Sequence, residues 1–165
     1  MLHKVTIAGL AMDPASNAPI LILNAVDADF SVPIWIGLLE AASIASVLQK
    51  VTFDRPMTHD LFKNFMESVN ARIRRIEVCD IRDNTFYAKL YCISADGEFI
   101  LDARPSDAIA LALRMNADIY VDDVVVDNLK GKSGPYETVD NSDQGKKWEN
   151  YLKNLSPDDF GKYKV

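Results

Sequence analysis

Acid, base and acid fall within six residues in LDARPSDAIALAL, residues 101–113. There Asp102, Arg104 and Asp107 mark the junction between an apolar extended stretch and an almost wholly apolar helix. Such a turn exposes side chains at the end of a sheet, and the unpaired N–H groups of the following helix favour negative charge there. VPIWIGLLEAASIASVL, residues 32–48, repeats the design with a tight turn at Gly37 and one acid, Glu40. A third helix start, THDLFKN, supplies His59, Asp60, Lys63 and Asn64. If the three starts converge, they form a cradle for an anion such as phosphate. Asp102, Asp107 and Glu40 are the candidate metal ligands, since carboxylates suit Mg²⁺ or Mn²⁺. That divalent cation would polarise a phosphoryl oxygen and activate water. The catalytic candidates are Glu40, His59, Asp60, Asp102, Arg104 and Asp107, with His59 moving protons. Lys63, Asn64, Arg104 and Ser106 are the candidate substrate contacts.

Each of these groups also has a structural reading. Asp102, Arg104 and Asp107 make an ion cluster tying strand to helix, with Asp107 favoured by the helix dipole. Glu40 and Asp60 suit first helical turns for the same reason. His59 could be a capping residue. Lys63 and the basic run Arg72, Arg74 and Arg75 lie among Glu67, Glu77 and Asp80, which reads as a salt-bridged face in solvent.

The elements that position these groups follow from hydropathy. Extended stretches are expected at 2–12, 19–26, 32–36, 72–82, 85–94, 98–103 and 118–121, with helices at 38–49, 59–70 and 105–115. The helix at 38–49 is apolar on most sides and needs enclosure by sheet or by another subunit. The one at 59–70 is amphipathic, with Leu61, Phe62, Phe65, Met66 and Val69 as its buried stripe, and Thr58 suits its N-cap. Asp83-Asn84 suits a two-residue hairpin turn, which would place Cys79 opposite 88 and Cys92 opposite 75. The expected class is α+β: a mixed, largely antiparallel sheet with two or three packed helices and a short C-terminal helix. The likeness of the two strand–turn–helix units around Glu40 and Asp107 suggests a short internal duplication. Residues 1–126 form the domain. A polar, breaker-rich linker, 127–145, and a helical tail, 146–165, follow.

The 165 residues suffice for one domain with a true core, and the net charge is −6. All the surplus is in residues 1–126, with eleven Lys and Arg against seventeen Asp and Glu; residues 127–165 hold seven of each. A chain of that sign gains nothing from the counterion release that drives nonspecific nucleic-acid binding. A local basic site or bound cations must serve instead. No apolar run is long enough to cross a bilayer, and VTIAGLAM reads as a strand, not a signal peptide. Cys79 and Cys92 are expected reduced, in a cytoplasmic protein. There is no phosphate-binding glycine loop with lysine, no nucleophile elbow and no cysteine cluster. With only His3 and His59, histidine-rich zinc nucleases are excluded.

In this order, AMDPASNAPILIL, VPIWIGLLEA, RPMTHDLFKNFMES, RDNTFYAKL and LDARPSDAIALALR resemble the bifunctional nuclease domain family of bacteria and plants. The resemblance covers about residues 2–123, and YLKNLSPDDF is similar to a tail of bacterial members. It implies a compact α+β protein that assembles into homo-oligomers, and cleavage of DNA and RNA as in plant members. Matched onto the family's recurrent polar positions are Glu40, Thr58, His59, Asp60, Arg104, Ser106 and Asp107, with Asp102 beside them. Two functions are therefore expected in competition. One is a cation-assisted phosphodiesterase; the other is a non-enzymatic oligomeric binding or regulatory module.

Overall fold

The computed structural model describes residues 1–130. Seven strands form one sheet: β1 (Leu2–Met12), β2 (Pro19–Ala25), β3 (Ser31–Trp35), β4 (Arg72–Arg82), β5 (Thr85–Ser94), β6 (Gly97–Ala103) and β7 (Asp118–Asp122). The four helices are α1 (Leu38–Leu48), α2 (Thr58–Ser68), α3 (Pro105–Met115) and α4 (Asp123–Lys130). Strand order is β3-β2-β1-β7-β4-β5-β6. All neighbours are antiparallel except β4 and β7. The class is α+β, as expected.

Two antiparallel meanders, β1-β2-β3 and β4-β5-β6, flank β7, and each ends on an edge strand that runs into a helix. The duplication suggested by sequence therefore has an architectural counterpart. Helices α1 and α3 leave from opposite edges of the sheet and pack against each other, with α2 against α3. Because β1 is antiparallel and β4 parallel to β7, the edge strands β3 and β6 run in opposite directions, and the two meanders are related by a two-fold rotation.

The hairpin between β4 and β5 turns at Asp83 and Asn84, whose φ values of 48° and 62° are left-handed. Asp and Asn tolerate that region better than other side chains, and a turn of this hand matches strand twist. Register then slips twice, between Val78 and Asp80 and between Ile73 and Arg75. Ala88 consequently pairs with Val78 and Cys92 with Ile73, one and two positions from the expected partners. Bulges of this kind add local twist. Both cysteines are free thiols, Cys92 buried.

One core joins sheet and helices through Leu21, Leu23, Ile34, Ile44, Ile76, Ile109, Val121 and Val125. Burying each Leu or Ile contributes about 2 kcal/mol. Helix α3 is the most enclosed: Ala108 to Ala112 are all buried. Pro105 starts it without losing a needed N–H, and Asn116 ends it with φ 52°.

The stripe expected to be buried on α2 is largely exposed. Met66 is buried and Phe62 partly so, but Leu61, Phe65 and Val69 face solvent. Helix α1 likewise leaves Leu38, Leu39 and Leu48 exposed. The α2 N-cap is Met57, one residue before the expected Thr58, because the Asp60 carboxylate accepts the Met57 N–H at 3.0 Å. Helix α4 carries the chain to Lys130, with Val125 and Val126 buried. The rest of the expected linker and the helical tail lie outside the described residues. No described helix is long and apolar enough to cross a membrane.

Candidate active site

On α1, Glu40, Ser43 and Ser46 repeat every three residues and so share a face on an otherwise apolar helix. That face looks into a cavity of about 320 Å³ whose wall also includes Thr58, His59, Arg104, Asp107 and Arg114. The first turns of α1, α2 and α3 all contribute, so the three helix starts do converge. The chain there offers positive helix ends to whatever enters.

His59 is the centre of the arrangement. Its Nε2 lies 3.0 Å from Asp107 Oδ1 and its Nδ1 lies 2.8 Å from Ser43 Oγ. Burial pushes the Asp107 pKa up, but hydrogen bonds from Arg104 and His59 outweigh it and hold the group below its usual range. Asp107 is therefore a carboxylate, able only to accept, and Nε2 must carry a proton. In the neutral ring Nδ1 then accepts from the Ser43 hydroxyl. The imidazole is locked in one tautomer by its partners.

Arg104 bridges two acids, donating from Nε to Asp107 Oδ2 at 2.7 Å and placing Nη2 2.9 Å from Glu40 Oε1. Its side chain is 67% exposed, so each ion pair stabilises the fold by at most about 1 kcal/mol. Of the expected Asp102, Arg104 and Asp107 cluster only the Arg104–Asp107 pair forms; Glu40 takes the place of Asp102, and the pairs contribute little to stability. Gly37 leaves room for the Glu40 carboxylate, which a Cβ at that position would push aside.

Arg114, 5% exposed, behaves differently. Its Nε donates to Asp60 Oδ1 at 2.6 Å, Nη1 to Ala110 O and Nη2 to Ser43 O at 3.2 Å. Burial raises the Asp60 pKa, and the bonds from Arg114 and the Met57 amide more than reverse that. Asp60 is thus occupied in pinning α2 to α3.

The remaining candidates sit apart. Asp102 is exposed on β6 opposite Lys89 of β5 and does not line the cavity. Lys63 pairs with Glu67 along α2 at 3.7 Å, and Asn64 is exposed. Ser106 is buried in the first turn of α3. Arg74 pairs with Glu98 in solvent as expected of that run, whereas Arg75 pairs with Glu77, which is buried and not on the expected solvated face. His3 meets Asp123 far along the chain from His59. Asp102, Asp107 and Glu40 do not form one donor set: Asp102 is elsewhere, and the other two hold Arg104. Among the described residues no three His, Cys, Asp or Glu side chains are grouped to hold a metal ion.

Two members of the site, Ser43 and Arg114, were not among the sequence candidates. The signal for Ser43 was its i+3 spacing from Glu40; for Arg114, a lone cation seven residues, two turns, after Asp107.

A sequence profile of the bifunctional nuclease domain matches residues 21–133. The chain belongs to the bifunctional nuclease domain family. Two uncharacterized proteins of Mycobacterium tuberculosis are each 35% identical over 165 residues, spanning 96% of this chain and 98% of theirs. A rice protein, "Bifunctional nuclease 1" of Oryza sativa subsp. indica, is 25% identical over 112 residues. That alignment covers 66% of this chain and 34% of the rice protein. The mycobacterial relatives extend the likeness along nearly the whole chain.

Proposed function

We propose that this protein is a phosphodiesterase acting on DNA and RNA, with its reaction centre at His59. The observation that carries the reading is the His59 ring held between Asp107 and Ser43 in a cavity where three helix N-termini and Arg104 meet. The anionic oxygens of a phosphodiester face Arg104 and the helix ends, which favour charge developing in the transition state. His59 moves protons, and Asp107 orients it and stabilises its imidazolium form. The name of the rice relative agrees with this chemistry.

The scattered carboxylates do not fit a resident Mg²⁺ or Mn²⁺, so the proposed steps use none. A cation reaching the site would come with the phosphates it neutralises. Purified protein is expected to cleave labelled single-stranded DNA and RNA equally well with and without chelator. The Asp107→Asn variant is expected to lose about 10²–10⁴-fold in rate, the range for general acid–base catalysis. Cleavage abolished by chelator and undiminished by Asp107→Asn would contradict the reading.

A second reading, a non-enzymatic oligomeric module, is favoured by the exposed Leu61, Phe65 and Val69 of α2 and Leu38 and Leu39 of α1. These apolar faces suit contact between copies of the chain. The oligomer is compatible with catalysis. It replaces the first reading only if no phosphodiester is cleaved.

A further inference from the structure

We infer that Ser43 is the nucleophile of this site and that cleavage passes through a phosphoserine diester. The inference deepens the phosphodiesterase reading and rests on it for the choice of electrophile. Its basis is the occupancy of the His59 ring. With Nε2–H donated to Asp107, the lone pair at Nδ1 is the ring's only base, and Ser43 Oγ stands on it at 2.8 Å. The proton His59 can take without leaving Asp107 is the one on Ser43. Serine, imidazole and carboxylate joined in sequence are the arrangement that activates a weak hydroxyl nucleophile. Here the two ring nitrogens exchange roles relative to the serine proteases, which the symmetry of imidazole chemistry permits.

The position of Ser43 is also fixed from behind. Its carbonyl accepts from Ser46 Oγ at 2.8 Å and from Arg114 Nη2 at 3.2 Å. Ser46 and Arg114 are both buried, so the donors holding this residue are themselves immobile. The Ser46 bond is the usual reach of a helical serine to the carbonyl three residues back, whereas the Arg114 bond crosses from α3 and fixes this turn of α1 against it. Ser43 also lines the same cavity as Arg104 and the first turn of α2, where phosphoryl oxygens find their donors.

In the first step Ser43 Oγ attacks phosphorus. The Oγ–P bond forms as the bond from phosphorus to the leaving nucleoside oxygen breaks. The Oγ proton passes to His59 Nδ1 and from there to the leaving oxygen. Water then attacks the same phosphorus and gives a proton to Nδ1. The Oγ–P bond breaks and the proton returns to Oγ, restoring the hydroxyl.

The test is covalent labelling of the whole chain with a fluorophosphonate, alongside cleavage of a labelled RNA. The expected result is one adduct per chain, mapped to Ser43. Labelling is absent in Ser43→Ala and slowed about 100-fold or more in His59→Ala, the scale of an activating base. Ser43→Ala should melt with the wild type, since Ala suits a helix and, among the described residues, the lost hydroxyl bonds to His59 alone. Wild-type protein that cleaves RNA yet takes no label at Ser43, or Ser43→Ala that cleaves at the wild-type rate, would overturn the nucleophile and leave the phosphodiesterase standing. Label at Ser43 without cleavage of any DNA or RNA would overturn the phosphodiesterase reading and the substrate assigned here.

Discussion

Two arginines near His59 illustrate how exposure separates function from stability. Arg104 holds Glu40 and Asp107 from solvent, where its bonds are weak enough to be exchanged for those of a phosphate. Arg114 is enclosed and commits all its reach to Asp60 and two carbonyls. Replacing Arg104 with Gln should leave the melting temperature nearly unchanged while weakening substrate binding, read as a raised KM. Asp60 and Asp107 share a pH signature, since both are held below the usual 3.8 in the folded chain. Between the folded and unfolded values the unfolded chain binds more protons, so stability rises with pH. Their contribution is complete above about pH 5 and is lost as pH falls through the folded-state values. Denaturant midpoints measured downward from pH 5 should therefore decline less steeply in Asp107→Asn than in the wild type.

At the scale of elements, α3 joins the site to the core. Its apolar residues seat it on the sheet, its first turn presents Asp107, and Arg114 in its last turn reaches α2 and α1. Arg114→Met keeps the apolar stem but leaves Asp60 without its partner. Because Asp60 retains some solvent, the expected loss is about 3 kcal/mol, the low end for breaking a buried pair. A urea melt measures it. Elements were the most legible part of the sequence, because period-2 and helical patterns report directly on which face is buried. Register was less so: the Asp83-Asn84 turn was readable, but the register shifts at Cys79 and Arg74 leave no mark in the hydropathy pattern. The α2 stripe misled for a related reason. Amphipathic spacing shows that a face is apolar and says nothing of which surface covers it.

Across the whole molecule, the convergence of three helix starts depends on topology, which no local spacing encodes. Glu40, His59 and Asp107 could be singled out as polar groups at helix starts, whereas the strand order that unites them, and removes Asp102, could not. The partners Ser43 and Arg114 became recognisable only with the helices packed. The same packing leaves Leu61, Phe65 and Val69 uncovered. Sedimentation should show a concentration-dependent oligomer, and Leu61→Glu with Phe65→Glu should shift it to monomer by placing charge in the contact. A monomer in the wild type at every concentration would contradict that interface. If the proposed function holds, the acidic balance of residues 1–126 requires that nucleic acid be held by a few local contacts. Its binding should weaken with salt on a shallow slope, below that of proteins neutralising six to ten phosphates.

Single-turnover cleavage of a short labelled RNA by wild-type protein and by His59→Ala, each first confirmed folded by its melt, tests the central claim most directly. Strand scission in the wild type, slowed at least about 100-fold without the imidazole, is the predicted result. Equal rates in the two proteins, or intact RNA in both, would contradict it.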